Sequence, residues 1–263
     1  MNLIRQANRK TVMKYISFMP ASARNTALSL AARLRPRVKN YVAYTKATAK
    51  LSGVEIGGPT ALFHRHVPVY KECLSLDFVN FSNETIWEGQ LTDSVNYFGN
   101  KFGKQYIMEA SELPKFADNC FDFLLSSNCL EHIANPIKAL SEWKRVTSGE
   151  IILIVPRKDN NFDHRRPTTT FEHLVADYNN DIDETDLTHL SEILSLHDLD
   201  RDPPAGSYEQ FHQRSLDNFN NRCLHHHVFD NDLVSRMCEY LGMSIIEQSV
   251  DEANWFFLID TRS

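Results

Sequence analysis

No apolar run in the 263-residue sequence is long enough to cross a bilayer as a helix. The N-terminus also lacks the compact apolar core of a secretory signal. There are five cysteines, an odd number, and no Cys-x-x-Cys pair, which argues against a disulfide framework or a zinc knuckle and for a reducing compartment. A cytoplasmic protein is expected, with peripheral attachment at the inner membrane surface as a variant. The sharpest absence is local: residues 1–50 hold eleven Lys and Arg and no Asp or Glu. Because the whole chain has a net charge of −6, the remainder is strongly acidic.

Such a start also fits a mitochondrial transit peptide, being Arg-rich, Ser-containing and free of acids. Pro20 and Pro36 divide it into three predicted helices, with Leu3, Ile4, Ala7, Val12, Met13 and Ile16 near one face of the first. The arm either packs on the acidic body or contacts a membrane surface or another anionic partner; a nucleic acid is not favoured. Residues 51–263 suit one α/β domain.

Within that body, Leu51-Ser-Gly-Val-Glu-Ile-Gly-Gly-Pro-Thr60 closes a β-branched run on an acid and breaks at paired glycines. This pattern reads as the ligand loop after the first strand of a doubly wound sheet. Pro59 has no amide hydrogen, and no third glycine follows at the dinucleotide spacing, so a pyrophosphate would be poorly held and a nicotinamide enzyme is least expected. S-adenosylmethionine, which carries no phosphate, fits better. Asp77, with its neighbour Phe78, falls about twenty residues on, where an acid can take ribose hydroxyls. Phe63 and Tyr70 are candidates to border the ligand.

A third strand is expected at Gln105–Met108, with residues 80–100 before it a loop or weak helix anchored by Trp87. Phe121–Ser126 reads as a buried strand ending in Ser127-Asn128, and Asn135-Pro136 as a helix start. Glu150–Pro156 is the clearest strand. Asp230 and Gly242 bracket a capped helix, and a closing strand pair follows.

Taken in order, the glycine loop, Asp77, Glu109-Ala110 and Phe121–His132 resemble the class I S-adenosylmethionine-dependent methyltransferases over residues 51–156. The resemblance implies a Rossmann-like sheet of seven strands, the last antiparallel. It also implies S-adenosylmethionine as cofactor, with S-adenosylhomocysteine as product. Glu55, Gly57, Gly58, Pro59, Asp77, Phe78, Glu109, Ala110, Ser127 and Asn128 would line its site, the last acid and alanine meeting the adenine. A histidine at the place of His132 is common in the family among members with different substrates, so it is read as holding the site together rather than as the base.

Residues 157–228 form a connection too long for an ordinary loop, and so a substrate-binding insertion or cap. It is rich in histidine. In Phe162-Asp-His-Arg-Arg-Pro167, Asp163 can orient His164 as a base while Arg165 and Arg166 fork onto an acceptor carboxylate or phosphate. Asp186, His189 and Glu192 have helical spacing and can bind substrate or a divalent metal, although no metal site is favoured. In Arg222-Cys-Leu-His-His-His-Val-Phe229, His225 and His226 are further candidates for the base and His227 for a substrate contact; if the segment is extended, His225 and His227 share a side and can instead ligate a metal. The strings around these residues are similar to bacterial methyltransferases encoded with glycan-assembly enzymes. The expected activity is O-methylation of a sugar or other small polar acceptor. Alternatives are a metal-dependent hydrolase built on the insertion and a non-catalytic binding protein with a methyltransferase-like body.

Overall fold

The computed structural model describes residues 36–87 and 89–262; the first two helices expected in the arm lie outside them. The third forms as α1 (Tyr41–Thr48), and Tyr44 donates a hydrogen bond to the Phe256 carbonyl beneath it.

A mixed eight-stranded sheet organises the body, in the order β5-β6-β2-β1-β7-β8-β10-β9. These strands are β1 (Ser52–Ile56), β2 (Ser75–Asn80), β5 (Ser94–Phe98), β6 (Lys101–Ile107), β7 (Phe121–Ser127), β8 (Thr147–Pro156), β9 (Ser244–Val250) and β10 (Asn254–Asp260). The five strands from β6 through β2, β1 and β7 to β8 run parallel. The order reverses between β1 and β7, and ligands bind at such a switch point, beyond the C-terminal ends of the strands.

The near-continuous apolar runs follow from burial of the parallel strands on both faces. Val54, Leu124, Ile151 and Leu153 enter one core with Ile137, Leu140 and Trp143 of α4 (Pro136–Val146). Phe123, Leu125, Ile152 and Ile154 enter the opposite core with Phe63, Tyr70 and Phe78. As expected, Asn135 caps α4, accepting from the Lys138 amide at 3.1 Å.

The eighth strand comes from the segment expected to be a loop. Residues 80–100 instead form a small hairpin of β3 (Glu84–Thr85) and β4 (Gly89–Gln90), then β5 at the sheet edge, antiparallel to β6. Gly99, at φ +54°, makes the β5–β6 turn, and Tyr97 is buried against Phe78 and Tyr70. The β1–β2 crossover is likewise short, made of α2 (Leu62–Arg65) and α3 (Val69–Glu72).

After β8 the chain builds a layer over the strand ends. After α5 (Phe171–Asn179), whose Leu174 is buried in the core of the body beside α4, this layer is made of α6 (Leu190–Leu196), α7 (Tyr208–Leu216) and α8 (Asn218–Asn221). Ile193, Ala205, Phe211 and Leu224 give this cap a small core of its own. Helix α9 (Asn231–Tyr240), capped by Asp230, returns the chain to β9. Among the described residues, no helix is long and apolar enough to cross a membrane.

Candidate functional site

The glycine turn stands on a buried carboxylate. Glu55 is fully buried; its Oε1 accepts from the Thr60 amide at 2.9 Å, and its Oε2 from the Tyr70 hydroxyl at 2.6 Å. A Cβ on Gly58 would lie 2.3 Å from Glu55 Cδ, and one on Gly57 (φ +77°) 2.8 Å from Cys129 Sγ. Only glycine lets the backbone pass here. Phe63 is wholly buried in the core, and Tyr70 lies beneath the turn as a partner of Glu55, so neither borders the ligand.

At the end of β2 the expected acid is displaced. Asp77 pairs with Val54 in mid-strand, and its Oδ1 accepts from the Lys104 amide at 2.9 Å. Phe78, fully buried against Tyr97, is core. The polar residue at the strand's end is Asn80, whose Nδ2 donates to the Gly58 carbonyl at 2.7 Å and leaves Oδ1 as an acceptor. Past β6, Glu109 pairs with Arg222 at 2.6 Å, and the Ala110 carbonyl accepts from Trp143 Nε1. Arg222, which the sequence reading did not assign, lies over the rings of Phe81 and Phe219, and its Nε and Nη1 are buried without hydrogen-bond partners. Its position just before three histidines was the available signal.

At the end of β7, Ser127 Oγ and Glu131 Oε2 are buried with no hydrogen-bond partner, and Asn128 takes a left-handed conformation at φ +48°. Buried polar groups left this way suit a ligand. His132 Nδ1 donates to the Leu224 carbonyl at 3.0 Å, and its ring is set edge-on to His225 at 4.6 Å and Trp87 at 5.2 Å. One ligand-type atom from each of Glu131, His132 and His225 falls within 4.8 Å of the others.

The Asp163–His164 pair expected from sequence does not form. Asp163 Oδ2 lies 2.5 Å from His225 Nδ1, whereas His164 Nε2 binds Asp198 at 2.7 Å. Nor do Arg165 and Arg166 fork together. Arg165 is half exposed and reaches Asp198. Arg166 is 1 % exposed and donates to Asp163, Glu192 and the carbonyls of His225 and His226. With four of its five N–H donors taken in the interior, this guanidinium is not placed to fork onto an acceptor molecule. His226 is buried, with Nε2 accepting from Asn218 Nδ2 at 3.0 Å and 3.8 Å from Glu184. His227 Nε2 donates to the Ala134 carbonyl, and His189 meets His173.

Burial governs the titration of this cluster. It raises Glu131 and Glu184 to about 7, lowers His226 to about 4, and holds His132 and His227 well below the ordinary imidazole value. For Asp163 burial acts upward, but His225 and Arg166 outweigh it and bring the carboxyl down to about 2. Burial opposes charge on His225 as well; Asp163 overcomes it and raises that imidazole.

Residues 54–155 match the family model described as a methyltransferase domain. A solved SAM-dependent methyltransferase from Aquifex aeolicus shares the fold: 13 % identity, TM-score 0.50, with 92 % of this chain and 99 % of that chain covered. Another, from Methanosarcina mazei, aligns at 12 % identity and TM-score 0.48 over 85 % of this chain and 98 % of that chain. No curated protein matches the sequence.

Proposed function

We infer that this class I S-adenosylmethionine-dependent methyltransferase methylates a hydroxyl oxygen of a sugar or other small polar acceptor, with His225 as general base and Asp163 as the residue that orients it. The observation that carries the reading is the Asp163–His225 contact of 2.5 Å, held beside His132 just past the end of β7. With Nδ1 bound to a carboxylate, Nε2 is the nitrogen left to accept a proton, and the carboxylate stabilises the imidazolium that results.

The glycine turn, Asn80 Oδ1 and the Glu109–Arg222 pair would receive the cofactor, with Asn80 taking the ribose role expected of Asp77. The bound cofactor supplies an electrophilic methyl on a sulfonium. With the cofactor bound, that methyl would go to the acceptor oxygen with S-adenosylhomocysteine as the leaving group, while His225 Nε2 would take the hydroxyl proton. Positioning supplies much of the remaining acceleration, because the two reactants need only be held in line. A polar acceptor agrees with the polar side chains His164 and Arg165 of the insertion, both tied to Asp198.

The test pairs calorimetric titration of S-adenosylhomocysteine with its release during turnover on a panel of monosaccharides and nucleotide sugars. His225→Gln should bind S-adenosylhomocysteine as the wild type does while turnover falls on the order of 10²–10⁴-fold. Unchanged turnover would remove His225 as the base. Absence of binding to folded wild-type protein would remove the cofactor site.

A further inference from the structure

We propose that His173, Asp177, His189 and His227 form a divalent-metal site of the zinc type that fastens the cap to the body of the domain. One ligand atom from each of the four lies within 4.8 Å of the others. His173 and Asp177 stand four residues apart on one face of α5, His189 immediately precedes α6, and His227 lies on the extended segment leading to α9.

The separations are those of ligands around a cation. His173 Nε2 is 2.8 Å from His189 Nε2 and 3.2 Å from Asp177 Oδ2. Both fall a little short of the roughly 3.3 Å edge of a tetrahedron whose metal–ligand bonds are about 2.0 Å. Hydrogen bonding accounts only for the contact between His173 and His189. Asp177 Oδ2 and His227 Nδ1 are both buried with no hydrogen-bond partner, although leaving such groups unpaired is costly.

His227 also has the outer support that a ligating imidazole normally carries. Its Nε2 donates to the Ala134 carbonyl at 2.9 Å, which leaves Nδ1 with the lone pair. Three imidazoles and one carboxylate make a borderline donor set: too nitrogen-rich for calcium or magnesium, and without the sulfur that monovalent copper prefers. Four protein ligands complete a tetrahedron, the arrangement of a structural site rather than a catalytic one. His173 and Asp177 lie on α5, whose Leu174 is buried in the core of the body, whereas His189 precedes α6, whose Ile193 belongs to the core of the cap, so one ion would tie the two together.

The second group of possible ligands, Glu131, His132 and His225, provides the control. Full-length protein free of any affinity tag would be loaded with Zn²⁺, dialysed against metal-free buffer and analysed by plasma mass spectrometry. Wild type and His132→Ala should each retain about one zinc per chain, and His189→Ala and the conservative Asp177→Asn should retain little. Zinc should raise the Tm of the wild type and leave that of Asp177→Asn unmoved. Cobalt(II) should give the wild type the intense visible absorption of tetrahedral coordination. Folded wild type without zinc, equal zinc in His189→Ala, or loss in His132→Ala alone would each overturn the proposal. None of these measurements depends on methyl transfer.

Discussion

Asp163 passes over its neighbour His164 and sets Oδ2 2.5 Å from Nδ1 of His225, 62 positions later in the chain. Arg166 arranges this contact. It holds the other Asp163 oxygen at 3.0 Å and binds the carbonyls of His225 and His226, so one buried guanidinium fixes both the carboxylate and the backbone carrying the histidines. The tandem arginines thus have separate roles: Arg166 builds the site and Arg165 faces solvent.

Arg166→Lys should therefore be costly. A lysine ammonium is a point charge with no fork to span these partners. Asp163, almost entirely buried, would lose most of its compensation, and breaking a buried pair costs about 3–5 kcal/mol. Urea unfolding measures this; a loss below about 1 kcal/mol would show that the network is loosely coupled to the fold.

Asn80→Ala should weaken S-adenosylhomocysteine binding about tenfold, the value of one hydrogen bond of roughly 1.4 kcal/mol. Asp77→Asn should leave it within about twofold, because Asp77 serves Lys104 in mid-strand. Calorimetric titration of the two variants side by side distinguishes them, and the reverse ranking would return the ribose role to Asp77.

The parallel sheet was legible because its strands are uninterrupted apolar runs, and the glycine turn because paired glycines after an acid have few other uses. Asn135 and Asp230 were legible as caps because capping is decided within four residues. Strand β5 was not, since its Ser-Val-Asn-Tyr-Phe is short and mixes polar with apolar residues, and its pairing with β6 is a tertiary outcome. The partners of the histidines were also out of reach. Asp163 chooses between His164 and His225 through the path of the cap, which no spacing encodes. His173 and Asp177 show helical spacing, but His189 and His227 join them only once that path is set. Asn80 was not singled out because the apolar run does not reveal where β2 ends.

Gly58→Ala should abolish cofactor binding. The new methyl would lie 2.3 Å from Glu55 Cδ and 2.5 Å from Oε1. That carboxylate is pinned by Tyr70 and Thr60 and has no room to withdraw. By contrast, Gly99→Ala meets open space in the β5–β6 turn and carries only the strain of its positive φ, about 1 kcal/mol. It should bind S-adenosylhomocysteine as the wild type does. Equal binding by Gly58→Ala would mean that the turn yields more readily than its packing implies.

Glu131 gives the stability of the cofactor-free protein a definite dependence on pH. Burial raises its carboxyl from the ordinary 4.5 to about 7, against the pull of His225 and with a smaller upward push from Asp163. The folded state therefore holds this proton more tightly than the unfolded chain. Its stabilising contribution is complete below about pH 4.5 and declines as pH rises through 7, by a total of about 3 kcal/mol. Glu131→Gln keeps the shape and cannot ionise, so it should be close to the wild type at pH 4.5 and more stable at pH 8. Urea unfolding across that interval reads the difference directly. Parallel stability profiles would mean that water reaches the carboxyl, and the end of β7 would then be a wetter place than its unpartnered Ser127 and Glu131 oxygens indicate.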